Sequence, residues 1–257
     1  MMEERALFTT AEIGEHEPQP RYLHFAVIGG IGVGKSELVH FLSQDFGLAV
    51  VEETHNENPY LPKFYEANPA QYAFNCQTFF LAVDAIKRKR ARMGSRERSY
   101  IEDQGWEGDR IIELVQRQMG WIGREDHFSY LRGYAKIERD GLPRPDIFIG
   151  LVTDFTIVKE RIEKRGRSME LTLLRQHPEY FKKVLEAFNK YISVLAKRHR
   201  VIVVDASRDF IRNFKERYRA LNDIASYVTY YVNSPNQMNG RGPQGEKLLI
   251  PKYLQSR

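Results

Sequence analysis

The chain has 257 residues, 42% hydrophobic and 28% charged, an ordinary globular balance with enough apolar material for a sizeable core. Its 39 Lys and Arg against 34 Asp and Glu leave a formal charge of +5, which suits a protein that handles phosphates and is too mild to demand nucleic acid. Cys76 is the single cysteine, so no internal disulfide can form. The acidic start, "MMEERALFTTAEIGEHEPQP", lacks the apolar centre of a signal peptide, and no apolar run reaches bilayer-spanning length, so we expect a cytoplasmic protein without a membrane partner.

Residues 1–21 are polar and end in Pro18 and Pro20, which reads as a loose arm. Leu23 to Ile28 is a short apolar strand running into glycines, and Ser36 to Phe46 has helical spacing that stops at Gly47. "LAVVEE" (48–53) is a second strand. Pro69 opens a long helix through "QYAFNCQTFFLAVDAIKRKR", since proline is tolerated at a first helical position. "SYIED" (99–103) is the third strand, followed by helices near 109–119 and 126–139. "DIFIGLV" (146–152) is the fourth, with Thr153 or Asp154 able to cap the helix after it. A helix over 178–198, the strand "RVIVVD" (200–205) and a helix over 209–232 complete the body. Residues 233–246 read as a link rich in Gly, Pro and Asn. Strands alternating with helices predict an α/β fold: a five-stranded parallel sheet covered on both faces.

Gly29, Gly30, Ile31, Gly32, Val33, Gly34, Lys35 and Ser36 fit GxxxxGK[ST], after a strand and opening a helix as a phosphate cradle requires. Glycines let backbone N–H groups turn toward phosphate oxygens, and the helix N-terminus adds positive potential. Lys35 then reaches the β- and γ-phosphates and Ser36 ligates Mg²⁺. The spacing does not suit a dinucleotide fingerprint, and no guanine-reading NKxD element is present, so ATP is the expected nucleotide. Glu53 or its neighbour Glu52 ends the second strand on the crevice side, where a carboxylate can take a proton from an attacking hydroxyl. The basic run 87–98 raises a nucleic-acid partner, but a solvated helix end is the reading we favour.

Beyond the cradle, "NPYLPKFY", "YAFNCQ" and "RIEKRGRSMEL" (161–171) resemble the deoxyribonucleoside kinase family, including the bacterial deoxyadenosine and deoxyguanosine kinases, over about residues 23–225. The resemblance implies a P-loop kinase domain over 22–232 with an arginine-rich lid and a C-terminal extension over 233–257. It implies transfer of the γ-phosphate of ATP to the 5′-hydroxyl of a deoxyribonucleoside, and a homodimer. Glu53 becomes the base, Tyr65 the partner of the sugar 3′-hydroxyl and Gln77 a reader of the nucleobase. Arg161, Arg165 and Arg167 close over the phosphates, and Glu170 touches the sugar. "VVDASRDF" (203–210) resembles the adenine-side loop. Of two registers for the third-strand signature, "ERS" at 97–99 and "SYIEDQGWEGD", only the second supplies a strand. Asp103 then resembles the Mg²⁺-associated carboxylate, and Asp109 the acid facing the base. In that register Gln104 and Asp84 stand where the family has arginines, and Glu113 where it often has an aromatic. Acids at such places favour an acceptor presenting donors or positive charge.

Overall fold

The computed structural model describes residues 22–53, 55–94 and 98–233. The N-terminal arm, the link and extension beyond Asn233, and part of the basic run lie outside the described residues. Five parallel strands form one sheet in the order β2-β3-β1-β4-β5: β1 His24–Ile28, β2 Ala49–Val51, β3 Tyr100–Asp103, β4 Ile147–Val152 and β5 Val201–Asp205. In β1, Phe25 and Val27 enter one core cluster while Ala26 and Ile28 enter another on the opposite face. That is why β1 is apolar from Phe25 to Ile28 instead of alternating.

Nine α-helices are described: α1 Lys35–Phe46, α2 Leu61–Glu66, α3 Pro69–Gly94, α4 Glu107–Gln118, α5 Arg124–Arg139, α6 Phe155–Arg165, α7 Ser168–Gln176, α8 Pro178–Leu195 and α9 Phe214–Asn233. α8 spans both cores: Val184 and Phe188 join the larger, Ile192 and Leu195 the smaller. Asp154 is the residue that caps α6, its carboxylate accepting from the Ile157 N–H at 3.1 Å.

The element ends differ from the expectations for local reasons. β2 stops at Val51 because the chain turns into a 3-10 segment at His55–Glu57. α9 begins at Phe214, five residues late, because Asn213 turns its side-chain oxygen onto the N–H groups of Lys215 (3.0 Å) and Glu216 (3.3 Å). α2 was hidden by Pro62, which sits in its first turn. Lys87–Arg98 is not a uniformly solvated helix end. Arg88 is 1% exposed, and it follows Leu81 and Ala85 on the stripe of α3 that faces a third core cluster with Trp106, Tyr130 and Tyr134.

Candidate active site

The connection after β1 runs to β2 on one side of the sheet and the connection after its neighbour β3 runs to β4 on the other, which opens a crevice at their carboxyl ends. The glycine turn fills that crevice. Gly32 (φ 80°) and Gly34 (φ 101°) occupy the left-handed region that L side chains avoid, and α1 starts immediately afterwards with its amide groups facing the turn. Lys35 Nζ donates to the carbonyls of Gly29 (3.1 Å) and Gly30 (3.0 Å). Ser36 shares a hydrogen bond with Asp103, the last residue of β3, which pairs with Val27 of β1. β3 begins at Tyr100, so the register that takes its acid from "SYIED" is the one that brings a carboxylate to Ser36. Burial raises the Asp103 pKa, and the nearby Glu53 adds to that. Its Oδ1 is buried without a partner, an oxygen suited to a cation beside Ser36. Among the described residues, no group of three or more His, Cys, Asp or Glu side chains forms a metal cage.

Glu53 lies two residues past β2 and faces the glycine turn, whereas Glu52 is exposed and only its backbone carbonyl is engaged, by Lys87 at 3.3 Å. The choice between the two carboxylates therefore falls on Glu53. Burial alone would push its pKa up. The hydrogen bond with His55, at 3.2 Å, and the charges of Lys35 and Arg167 outweigh burial and hold it below the ordinary value. Glu53 is thus an ionised carboxylate at neutral pH. His55 was not singled out from the sequence; its place two residues beyond a strand-end acid was the available signal.

The lid expectation resolves into a corner between two helices. α6 ends at Arg165, Gly166 turns at φ 72°, and Arg167 precedes α7. Arg165 and Arg167 both reach Glu170, Arg167 Nη1 at 3.4 Å. Lys35, Ser36, Glu53, Tyr65, Arg165, Arg167 and Glu170 border one cleft of about 970 Å³, counting space open to solvent. Arg161 parts from this group. Its guanidinium donates to the carbonyls of Val33 (2.8 Å) and Arg208 (3.3 Å) and lies 5.9 Å from the Phe210 ring, bracing the glycine turn against the loop after β5. Arg161 thus sits at the glycine turn, one helical turn before Arg165, which borders the cleft.

Gln77 and Asp109 are each 3% exposed and do not border the cleft, though the charge of Glu53 reaches Asp109. Gln104 borders both the cleft and a smaller recess with Asp84 and Asp103, at a φ of 63° that is unusual without glycine. Its side chain lies over Gly108, where an added Cβ would stand 2.0 Å from Nε2. Arg88, one helical turn beyond Asp84, donates to Glu102 (2.8 and 2.9 Å from Nε) and to Glu107 (3.0 and 2.9 Å).

A hydroxyl brought to Glu53 faces the tail of any nucleotide seated in the glycine turn, and phosphoryl transfer is the chemistry that employs base, cradle and guanidinium groups together. Fold and site thus define a P-loop phosphotransferase. The chain belongs to the deoxynucleoside kinase family, whose model matches residues 25–229, and it is a phosphotransferase acting on a nucleoside hydroxyl. It is 32% identical to the deoxyadenosine/deoxycytidine kinase of Bacillus subtilis over 165 residues, covering 62% of this chain and 73% of that one. It is 29% identical to the deoxyguanosine kinase of the same organism, covering 79% and 94%. A deoxyadenosine kinase structure from M. mycoides with bound dATP shares the fold, at a TM-score of 0.68 and 24% identity over 80% of this chain and all of that one.

Proposed function

We propose that the chain transfers the γ-phosphoryl group of ATP to the 5′-hydroxyl of a deoxyribonucleoside. The observation that carries this reading is the Glu53 carboxylate in the same cleft as Lys35, Ser36, Arg165 and Arg167. Glu53 accepts the hydroxyl proton as the oxygen forms its bond to phosphorus, and the bridging bond breaks with its electrons leaving on ADP. Lys35 and the two corner arginines neutralise charge on the transferring group. Arg161 supports the reaction by holding the Val33 carbonyl, and so the shape of the turn. Ser36 and Asp103 would hold Mg²⁺, which supplies charge neutralisation on phosphate oxygens; the partnerless buried Oδ1 of Asp103 supports this.

On the acceptor side, Tyr65 and Glu170 take the sugar from the cleft wall, and the family resemblance gives the base to the buried Gln77 and Asp109. A homodimer is supported by Leu114 of α4 and Phe128 of α5, large apolar side chains 46% and 47% exposed. A cytoplasmic location accords with the single buried Cys76, and no helix among the described residues is long and apolar enough to cross a membrane.

The test is a panel of deoxyribonucleosides with labelled ATP and Mg²⁺. We expect 5′-monophosphate formation that stops on chelation. Glu53→Gln should lower kcat by about 10²–10⁴-fold while ATP binding persists. No turnover across the panel, or a Glu53→Gln enzyme as fast as wild type, would overturn the proposal.

A further inference from the structure

The strands run parallel, so their amino ends meet on the face of the molecule opposite the cleft. Backbone contacts tie the segments that enter them into one row. The Leu23 N–H donates to Ser99 Oγ, the Asp146 N–H to the His24 carbonyl and the Phe148 N–H to the Arg200 carbonyl, each at 2.8 Å. The approaches to β3, β4 and β5 therefore lie side by side, and α3, α5 and α8 end among them.

This row is basic. Arg90 and Arg92 from the end of α3, Arg98 before β3, Arg144 before β4, and Lys197 and Arg198 before β5 are all exposed. The acids described in the same connections are Glu138, Asp140 and Asp146, all on the approach to β4. A cation in the last turn of a helix answers its open carbonyls, and that alone would account for Arg90 and Arg92. It does not reach Arg98 and Arg144, which stand four and five residues beyond α3 and α5. No described acid pairs with Arg98, Arg144 or Arg198. The basic run read from the sequence is thus one part of a larger surface, completed by two segments that lie far from it in the chain.

We propose that this face binds the phosphate backbone of a nucleic-acid duplex without reading its sequence. The row from β3 through β1 and β4 to β5 covers three strand spacings, about 14 Å. One strand of a duplex places a phosphate about every 3.4 Å of axis, so about four phosphates fall within its span. Five of the six exposed cations are arginines, whose planar fork takes two phosphate oxygens at once. Contacts to phosphates alone carry no sequence information. An anionic membrane suits the face less. Met93 and Val194, large apolar side chains exposed at this end, stand on different helices and form no row that could enter a bilayer. The cleft opens at the other ends of the strands, so a duplex bound here leaves it accessible.

The test is fluorescence anisotropy of the full chain with a labelled DNA duplex of random sequence. We expect binding that weakens by about 10²–10³-fold between roughly 50 and roughly 200 mM salt, the loss for about four to six neutralised phosphates. A variant with Arg98→Glu, Arg144→Glu and Arg198→Glu should lose at least about tenfold in affinity at the lower salt and keep the kinase rate of wild type. A charge-matched control carries Lys159→Glu, Lys182→Glu and Lys183→Glu, exposed positions on α6 and the first turns of α8, the latter about 20 Å along that helix from Arg198. It should bind DNA nearly as wild type does. Absence of binding by wild type at the lower salt overturns the proposal, whatever the variants do. So does a control that loses as much affinity as the arginine variant, since the attraction then belongs to the whole surface. Tighter binding to phosphatidylserine vesicles than to the duplex overturns it in favour of a membrane.

Discussion

Glu53 and His55 form a small device whose behaviour follows from their charges. The carboxylate is buried, which disfavours its ionised form, yet the imidazole at 3.2 Å and the ammonium of Lys35 more than offset that. A base of lowered pKa keeps working as pH falls, so the acid limb of the rate profile should lie below the ordinary carboxylate range. Removing the imidazole in His55→Ala should raise the Glu53 pKa and move that limb to higher pH, measured as kcat/KM across acidic buffers. An unmoved limb would show that the imidazole does not tune Glu53. The strand-end acid was readable from the sequence as one of two candidates. The motif that follows favours Glu53 over Glu52, and the way the chain leaves β2 is the physical reason that Glu53 faces the cradle while Glu52 is exposed.

Among the elements, the sheet and α8 meet through a glycine. Gly150 of β4 is where α8 packs closest: an added Cβ would lie 2.6, 3.1 and 3.2 Å from three atoms of Ile192, itself 1% exposed. Gly150→Ala should therefore cost about 1–3 kcal/mol by overpacking, measured by denaturant unfolding. Gly108→Ala makes a different prediction. The added methyl meets chiefly the flexible end of Gln104, so it should change the acceptor KM more than the midpoint of unfolding. Strands and long helices were legible because apolar runs and Pro69 mark them plainly. α2 and the α6–α7 corner were not, since six- and nine-residue helices carry too few turns to display a period.

At the scale of the whole molecule, buried charge dominates. Arg88, Glu102, Glu107 and His24 form a network beneath the catalytic end of β3, with His24 Nε2 2.8 Å from Glu102. Arg88→Met strands two acids in the interior and should cost about 3–5 kcal/mol in chemical denaturation. Burial raises the Glu102 pKa, but Arg88 and His24 outweigh it, so in the folded protein the net value is lowered. Its stabilisation is thus complete at neutral pH and fades as pH drops through the lowered value. Asp109 and Glu113 act in the opposite sense. Burial lifts both, with Asp84 adding to the rise at Asp109, so each costs stability as pH climbs from the ordinary carboxylate range toward the raised value. Asp109→Asn should therefore stabilise the protein at neutral pH, by about 1 kcal/mol or roughly 2–4 °C in Tm for a domain of this size.

The sequence by itself determined the sheet, the phosphate cradle and the family, because each is written in contiguous residues: apolar runs, GxxxxGKS, and the stretches around Tyr65 and Arg165. Tertiary structure alone decided where the Arg161 guanidinium bonds and which cation pairs with which buried acid. Those outcomes depend on distances between residues far apart in the chain and on the balance of burial against neighbouring charge. Arg88 makes the point. From its neighbours in sequence it belongs to a basic surface run, yet the packing of α3 against α4 and α5 places it in the interior beside Glu102.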